Sequence, residues 1–145
     1  MSTYVDVGTR RHKYEALTYQ DVLLVPQYSD IESRSEVDIG SELDDNLRLK
    51  LPLIASPMDT ISESAMATAM DANGGMAVIH RYNSIDEQQA LVAACPDGSL
   101  VAAAVGVTGD FVERAEALVK AGVGVLCLDV AHGHHSLMRN ALKIL

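Results

Sequence analysis

The sequence predicts an α/β fold made of repeated βα units, of the kind that builds a (β/α)8 barrel of the TIM type. Four nearly continuous apolar segments stand at even spacing, and a helical pattern follows each of them. Continuous apolar segments are typical of strands buried on both faces of a parallel sheet. Because a closed barrel needs about 250 residues, this chain of 145 residues is expected to supply only the first four or so βα units. A doubly wound open sheet is the alternative.

The predicted strands and helices alternate without interruption from residue 51 onward. The strands are expected at 51–55, 76–79, 100–105 and 123–128. Thr60 with Glu63, and Ser84 with Glu87, have the spacing of a capping box and predict two helix starts. Asp110 is a candidate cap for a third helix that ends at Gly122. A fourth helix is expected to begin near residue 136.

The first 50 residues do not follow this repeat. Apolar segments at 19–26 and 36–39 predict short strands, or a plug, that precede the first barrel strand. We therefore divide the chain into an N-terminal extension, 1–50, and an N-terminal half barrel, 51–145. A basic cluster at 10–13 is interpreted as a solvated arm.

Composition excludes several classes of protein. The formal net charge of −9 argues against a nucleic-acid surface, which needs basic residues. No apolar segment is long enough to span a bilayer, and the N-terminus does not have the pattern of a signal peptide. Cys95 and Cys127 are far apart and form no disulfide framework. We expect a cytoplasmic protein without a membrane or nucleic-acid partner.

Polar residues gather in the loops that follow the predicted strands. In a barrel these loops line the active site, and here they include Ser56, Asp59, His80, Arg81 and Asp129. None of these five is needed to cap a helix, so they are candidates for a binding site.

Other kinds of site have weaker support. His132, His134 and His135 lie in one loop, which is weak evidence for a metal site because zinc usually takes three or four ligands with an ordering shell. We therefore predict no metal. The sequence also has neither a G-x-S-x-G elbow nor a G-x-G-x-x-G dinucleotide fingerprint.

Taken together, the motifs resemble the family of IMP dehydrogenases and GMP reductases. The matching segments, in family order, are Tyr19-Gln-Asp-Val-Leu-Leu-Val-Pro26, Ser33-Arg-Ser-Glu-Val-Asp38, Ala55-Ser-Pro-Met-Asp-Thr60, Gly74-Gly75 with Ile79-His-Arg81, Ala104-Val-Gly106 and Asp129-Val-Ala-His-Gly-His134. The resemblance implies a (β/α)8 barrel, usually in a homo-oligomer, that moves a hydride between C2 of a purine nucleotide and a nicotinamide cofactor.

The resemblance also implies roles for individual residues. Ser56 and Met58 would line the nucleotide pocket, and Arg81 would lie near the nucleotide. Asp129, with Val130 and Ala131, would contact the nicotinamide ribose, whose hydroxyls a carboxylate can bind. No catalytic residue is assigned, because in the family the nucleophilic Cys lies on a loop beyond the part that this chain resembles.

Four interpretations of the function stay open at this point. The first is the N-terminal part of a GMP reductase, which converts GMP to IMP with NADPH. It is favoured by Ser33-Arg-Ser-Glu-Val-Asp38, His80-Arg-Tyr82 and the 129–134 motif. The second is an IMP dehydrogenase that oxidises IMP to XMP with NAD and lacks the regulatory insertion of many relatives, favoured by Ser56-Pro-Met-Asp-Thr60. The third is a non-catalytic half barrel with at most nucleotide binding. A phosphate-binding barrel with an unrelated reaction is a further alternative.

Overall fold

The computed structural model describes residues 17–145, which form two units, 17–36 and 37–145. The basic cluster at 10–13 lies outside the described residues. Between 17 and 36 the one regular element is a short 3-10 helix, Arg34–Glu36. The strand predicted at 19–26 is wrong. Thr18 closes a local turn here, donating both its backbone N–H and its hydroxyl to Asp21 Oδ2. Among residues 17–145, no strand pairs with the segment that follows.

The second unit contains two sheets and four helices. The strands, in chain order, are β1 (Ser41–Asp44), β2 (Leu47–Leu49), β3 (Ile54–Ala55), β4 (Met76–Ile79), β5 (Val101–Val105) and β6 (Val125–Leu128). The helices are α1 (Ser64–Ala72), α2 (Ile85–Ala93), α3 (Phe111–Lys120) and α4 (Ser136–Ile144). The four predicted βα units are confirmed. The strand predicted at 36–39 is wrong, because regular pairing begins only at Ser41 in the β1–β2 hairpin.

The last four strands form one parallel sheet in the order β3-β4-β5-β6. Ala77 pairs with Val101, and Ala102 pairs with Val125. A doubly wound sheet reverses its strand order at a switch point, whereas these strands follow the order of the chain, as successive strands of a barrel do. Within the described residues, however, the sheet is open, with β3 and β6 at its two edges.

The strands are shorter than predicted where backbone groups have other partners. β3 is only two residues long because Leu51 N–H donates to Gly74 O, Leu53 N–H donates to Leu51 O, and Pro52 has no N–H. β6 begins at Val125 because Val123 N–H still bonds the end of α3, at Leu118 O. β3 is thus limited by a bond to the turn after α1, and β6 by the end of the helix that precedes it.

Each face of the parallel sheet has its own apolar core. Alternate residues, such as Ala77 and Ile79, pack with α1, α2 and α3 on one face. On the other face, Met76 and Val78 pack with Leu49 of the hairpin. Leu49 is only 2% exposed, so the hairpin contributes a buried residue to this second core.

The N-termini of α1, α2 and α3 can be compared with the three predicted caps. The Ser84–Glu87 capping box is confirmed, with both reciprocal bonds present. The Thr60–Glu63 box is wrong: Glu63 is itself the N-cap residue of α1, and its side chain makes no cap bond. Asp110 is the N-cap residue of α3, but its carboxylate bonds Arg114 rather than the backbone. In the described part of the chain, no helix is both long and apolar enough to cross a bilayer.

Candidate functional site

The candidate site lies at the carboxyl edge of the parallel sheet, where each strand passes into the loop before the next helix. Parallel strands bring their carboxyl ends to one edge, so the loops at 56–63, 80–84, 106–110 and 129–135 share this side of the molecule. Binding sites of α/β proteins are found there because these loops can vary while the sheet stays rigid. The predicted site residues are all in these loops.

An ion pair between Arg81 and Asp129 joins the ends of β4 and β6. Arg81 Nε donates to Asp129 Oδ2 at 3.2 Å, and Arg81 Nη2 donates to the carbonyl of Asp129 at 3.1 Å. The guanidinium therefore reaches past the end of β5, where Gly106 lies; a Cβ on Gly106 would be 3.5 Å from Arg81 Nη1. The family resemblance implies different ligands for these two residues, and the structure shows that they contact each other.

Asp129 keeps one carboxylate oxygen available. Arg81 engages Oδ2, whereas Oδ1 accepts no hydrogen bond from any described residue. The side chains of Arg81 and Asp129 are 36% and 28% exposed, so solvent or a ligand can reach them. A carboxylate that is oriented by an arginine and open on one oxygen is well suited to accept a bond from a ligand hydroxyl.

The loop that follows β3 is closed by a small set of buried bonds. Ser62 is fully buried, and its hydroxyl donates to the carbonyl of Ser56, which joins the two ends of the loop. The N–H groups of Ile61 and Ser62 both donate to Met58 O. Met58 lies at the tip of the loop and is 51% exposed. Its apolar side chain is therefore accessible, while the two ends of the loop are held together by hydrogen bonds.

Thr60, in the same loop, has a backbone conformation that is unusual for its type. Its φ is 60°, and it is the one non-glycine residue with positive φ in the described chain. A β-branched residue in this region carries strain, and such strain is found mainly at functional sites. Thr60 Oγ1 donates to the carbonyl of Asp59 and so does not serve as the predicted helix cap.

His80 directly follows β4 and is almost wholly buried, at 2% exposure. Its Nδ1 accepts the N–H of Tyr82 at 3.2 Å, and its Nε2 lies 3.1 Å from Glu63 Oε1. A backbone N–H can only donate, so Nδ1 must be the unprotonated nitrogen. In neutral imidazole the proton is then on Nε2, which donates to Glu63.

Asp59, Glu63 and His80 together have the composition of a cation site. Their potential ligand atoms lie within 4.8 Å of one another, and Asp59 Oδ1 is 3.9 Å from His80 Nε2. A metal at Nε2 would need the lone pair that the proton occupies, and moving the proton to Nδ1 would set it against the Tyr82 N–H. The geometry therefore argues against metal binding by His80. The spacing along the chain does not indicate this cluster, because His80 lies 17 positions after Glu63.

The loop histidines that the sequence raised as metal ligands are placed differently. His132 and His134 have ring centroids 6.4 Å apart in an edge-to-face arrangement. His135 is the N-cap residue of α4, and its Nδ1 accepts Leu137 N–H. With that nitrogen engaged, His135 has a structural role, and the three do not form a cation site among the described residues.

The remaining predicted cofactor residues flank Asp129. Val130 is half-buried and Ala131 is exposed. Val130 also lines a cavity of ≈ 190 Å³, together with Val107, His132, His135, Leu137 and Met138. No hydrogen bond between described residues links Ser56 or Met58 to the Arg81–Asp129 pair. The binding roles of Ser56, Met58, Arg81, Asp129, Val130 and Ala131 stay predictions.

A buried polar network supports the Arg81 loop and was missed by the sequence reasoning. Arg114 of α3 donates to Gln88 Oε1 at 2.9 Å and to the carbonyl of Asn83 at 3.1 Å. Gln88, which is fully buried, donates to the carbonyls of Ile79 and Ala104. The signal was available: a charged residue within the apolar stripe of an amphipathic helix needs buried partners.

Neither cysteine has the environment of a nucleophile. Cys95 is buried against α1 and α2, and Cys127 lies within β6. Burial raises the pKa of both thiols, and the nearby Asp129 carboxylate raises the pKa of Cys127 further. The thiolate is the reactive form, so both cysteines are expected to be inert.

Comparison with known proteins gives a consistent result. The profile of the IMP dehydrogenase / GMP reductase domain matches residues 16–145. The chain is 50% identical over 74 residues to an inosine-5'-monophosphate dehydrogenase of Nitrosopumilus maritimus (strain SCM1), covering 51% of this chain and 16% of that protein. It is 47% identical over 78 residues to a GMP reductase of Leishmania donovani, covering 54% of this chain and 16% of the relative.

A longer match extends over most of the chain. An inosine-5'-monophosphate dehydrogenase of Cryptosporidium parvum is 34% identical over 173 aligned positions, which cover 89% of this chain and 42% of the relative. The matches thus span less than half the length of these curated relatives.

Proposed function

Because the chain belongs to the IMP dehydrogenase / GMP reductase domain family, which it matches over residues 16–145, we propose that it is an N-terminal part of a purine-nucleotide oxidoreductase. The observation that carries this proposal is the Arg81–Asp129 ion pair at the carboxyl edge. It links two loops that carry family motifs, and it leaves one carboxylate oxygen without a hydrogen bond from residues 17–145. The family match, by itself, would not say where on this chain a ligand binds.

We propose that the two loops bind different ligands, as their geometry suggests. Ser56 and Met58, on the 56–63 loop after β3, contact the purine nucleotide. Asp129 Oδ1 accepts a hydroxyl of the nicotinamide ribose, while Arg81 holds Oδ2 and fixes the orientation of the carboxylate. Arg81 also places a positive charge at the carboxyl edge of the sheet, which would attract the negative phosphate of a nucleotide. Val130 and Ala131 flank the ribose.

The bound nicotinamide would supply or accept the hydride at C2 of the purine. Asp129 suits the ribose because its second carboxylate oxygen is an acceptor and the neighbouring arginine orients the group. The cavity beside Val130, of ≈ 190 Å³, offers an apolar surface next to that carboxylate. The chain's own contribution is therefore to bind and orient both ligands.

Between the two activities of the family, we propose GMP reductase first, with GMP and NADPH as ligands. The motifs at 33–38, 80–82 and 129–134 favour it. IMP dehydrogenase, with IMP and NAD, is the second candidate, and Ser56-Pro-Met-Asp-Thr60 is the feature that favours it. Relatives with both names match this chain at nearly equal identity.

Calorimetric titration of the chain with GMP, IMP and UMP, and separately with NADPH and NAD, tests the proposal. We expect saturable binding of the purine nucleotides and none of UMP. A preference for NADPH supports GMP reductase, and a preference for NAD supports IMP dehydrogenase. If UMP bound as tightly as GMP, the purine assignment would be wrong and a phosphate-binding barrel with another reaction would replace it.

A further inference from the structure

The geometry points to His80 as a positioning residue that, held in the Nε2–H form, orders the 56–63 loop through Glu63. This inference rests on the proposed function in one respect, that the loop contacts the purine nucleotide. His80 itself is 98% removed from solvent and is not expected to touch the ligand. Its effect on binding would pass through the loop that it holds.

Three bonds fix His80 between two strands' loops. Its backbone N–H donates to Ser62 O at 3.1 Å, which links the backbone after β4 to the end of the 56–63 loop. Its Nδ1 accepts Tyr82 N–H, which sets the orientation of the ring. With the ring fixed in this way, the Nε2 proton points at Glu63 Oε1. The neighbouring Tyr82 ring stacks at 6.0 Å between centroids.

These contacts connect His80 to the tip of the 56–63 loop through a short series of bonded residues. Glu63 is the N-cap residue of α1 and follows Ser62 directly. Ser62 in turn binds Ser56 O at the start of the loop, and its N–H binds Met58 O at the tip. If Glu63 lost its partner, the end of the loop would be held only by the Ser62 hydroxyl and by backbone bonds. The strained φ of Thr60 would then favour rearrangement of the tip.

The protonation pattern of His80 separates this role from metal binding. A positioning role requires Nε2–H as a donor, whereas a cation at Asp59, Glu63 and His80 requires a bare Nε2. Long-range ¹H–¹⁵N spectra of the labelled chain report which nitrogen carries the proton. We expect one protonated Nε2 and one unprotonated Nδ1, with no change when zinc sulfate is added. A protonated Nδ1, or a shift of the Nε2 signal with zinc, would overturn the proposal.

Two substitutions of His80 distinguish its hydrogen bond with Tyr82 from its hydrogen bond with Glu63. His80→Asn retains an acceptor for Tyr82 N–H, in the manner of an Asx turn, but its side chain is too short to reach Glu63. His80→Gln extends an amide donor to Glu63. The signals that disappear in either variant also assign the resonances of His80 among the five histidines of the chain. Val92→Ala is the control, because it removes core volume from α2 at a residue that is 4% exposed.

Hydrogen exchange of the Ile61 and Ser62 amides measures the order of the loop without any ligand. We expect His80→Asn to accelerate their exchange by about tenfold or more, the effect of losing one hydrogen bond to a charged group. His80→Gln should restore most of the protection, and Val92→Ala should leave these two amides unchanged relative to the rest of the chain. Equal loss in all three variants would mean a general effect on stability and would overturn the proposal.

GMP titration of the same variants connects the loop with function. We expect weaker GMP binding in His80→Asn than in His80→Gln or Val92→Ala. If His80→Asn loosens the loop and GMP still binds normally, the link between His80 and the nucleotide is wrong. If the wild-type chain binds no GMP, the proposed function fails, while the spectra and the exchange rates still decide whether His80 orders the loop.

Discussion

At the scale of single residues, Asp129 has the most specific environment in the candidate site. It directly follows the apolar strand β6, and Arg81 reaches it from the end of β4, two strands away. With side chains that are 36% and 28% exposed, the pair is close to a surface ion pair, which contributes about 0–1 kcal/mol to stability. It also restricts the side chain to one orientation, which matters for recognising a ribose.

We predict that Asp129→Asn weakens binding of the nicotinamide cofactor by about 1.5–3 kcal/mol, the usual contribution of a hydrogen bond to a charged group. GMP binding should change much less, because Ser56 and Met58 are on another loop. Calorimetric titration of both ligands measures this, with Asp97→Asn, an exposed residue in the loop after α2, as the matched control. Equal loss of both ligands would show that Asp129 holds the loops together instead.

The two cysteines lead to a second prediction at this scale. The 145 residues by themselves should not oxidise IMP or reduce GMP, because burial raises the pKa of both thiols and leaves little thiolate at neutral pH. Steady-state assays with NADPH and NAD measure turnover, and the rate of alkylation by iodoacetamide measures thiol reactivity. Turnover that Cys127→Ala abolishes would show that this strand cysteine is the nucleophile.

At the scale of elements, the helix starts differ in what their polar residues do. Ser84 and Glu87 form a complete capping box, whereas Glu63 and Asp110 use their carboxylates on His80 and Arg114. A side chain can serve only one geometry at a time, so the choice depends on whether a buried partner lies within reach. The two exceptions are both next to the candidate site.

We predict that Ser84→Ala lowers the free energy of unfolding by about 1 kcal/mol, the usual effect of removing an N-cap side chain. Bonds from the Ser84 backbone and hydroxyl lower the pKa of Glu87. The stabilisation is therefore present above the ordinary carboxyl pKa of about 4.3 and is lost as the pH falls through the lower folded value.

Urea denaturation at neutral pH and under acid conditions measures this difference, which should shrink as Glu87 becomes protonated. Ser64→Ala is the control, because Ser64 is the first residue of α1 and its hydroxyl bonds no described residue. If Ser64→Ala proved as costly as Ser84→Ala, the capping box would not be the cause.

At the scale of the whole molecule, the open sheet is the dominant feature. Within the described residues, β3 and β6 each have one strand neighbour, and their other edges carry unpaired backbone groups. Apolar side chains of α3 and α4 line a groove near the last residues, among them Val112, Val119 and Ile144. Such surfaces rarely persist on a monomer.

We therefore predict that the 145-residue chain associates in solution. Two copies that met edge to edge would close an eight-stranded arrangement with twofold symmetry. Light scattering coupled to size exclusion measures the mass, and we expect a value well above the 15.5 kDa of one chain. A well-folded species at the monomer mass would contradict this and would favour a sheet that is stable when open.

What the sequence determined by itself was the succession of local units. Apolar continuity located β4 and β5 almost to the residue, glycines marked the ends of α1 and α3 at Gly74 and Gly122, and the Ser84–Glu87 spacing located the start of α2. These features depend on neighbours within a few positions of the chain. The same reasoning placed the site residues in the loops after the strands.

Only the tertiary structure decided which of those residues meet. Arg81 and Asp129 are 48 positions apart, and Glu63 and His80 are 17 apart. Spacing along the chain carries no information about such contacts, because they depend on the order of strands in the sheet and on which helix covers it. The predicted strand at 19–26 failed for the same reason: a strand exists only where another segment accepts and donates its backbone hydrogen bonds.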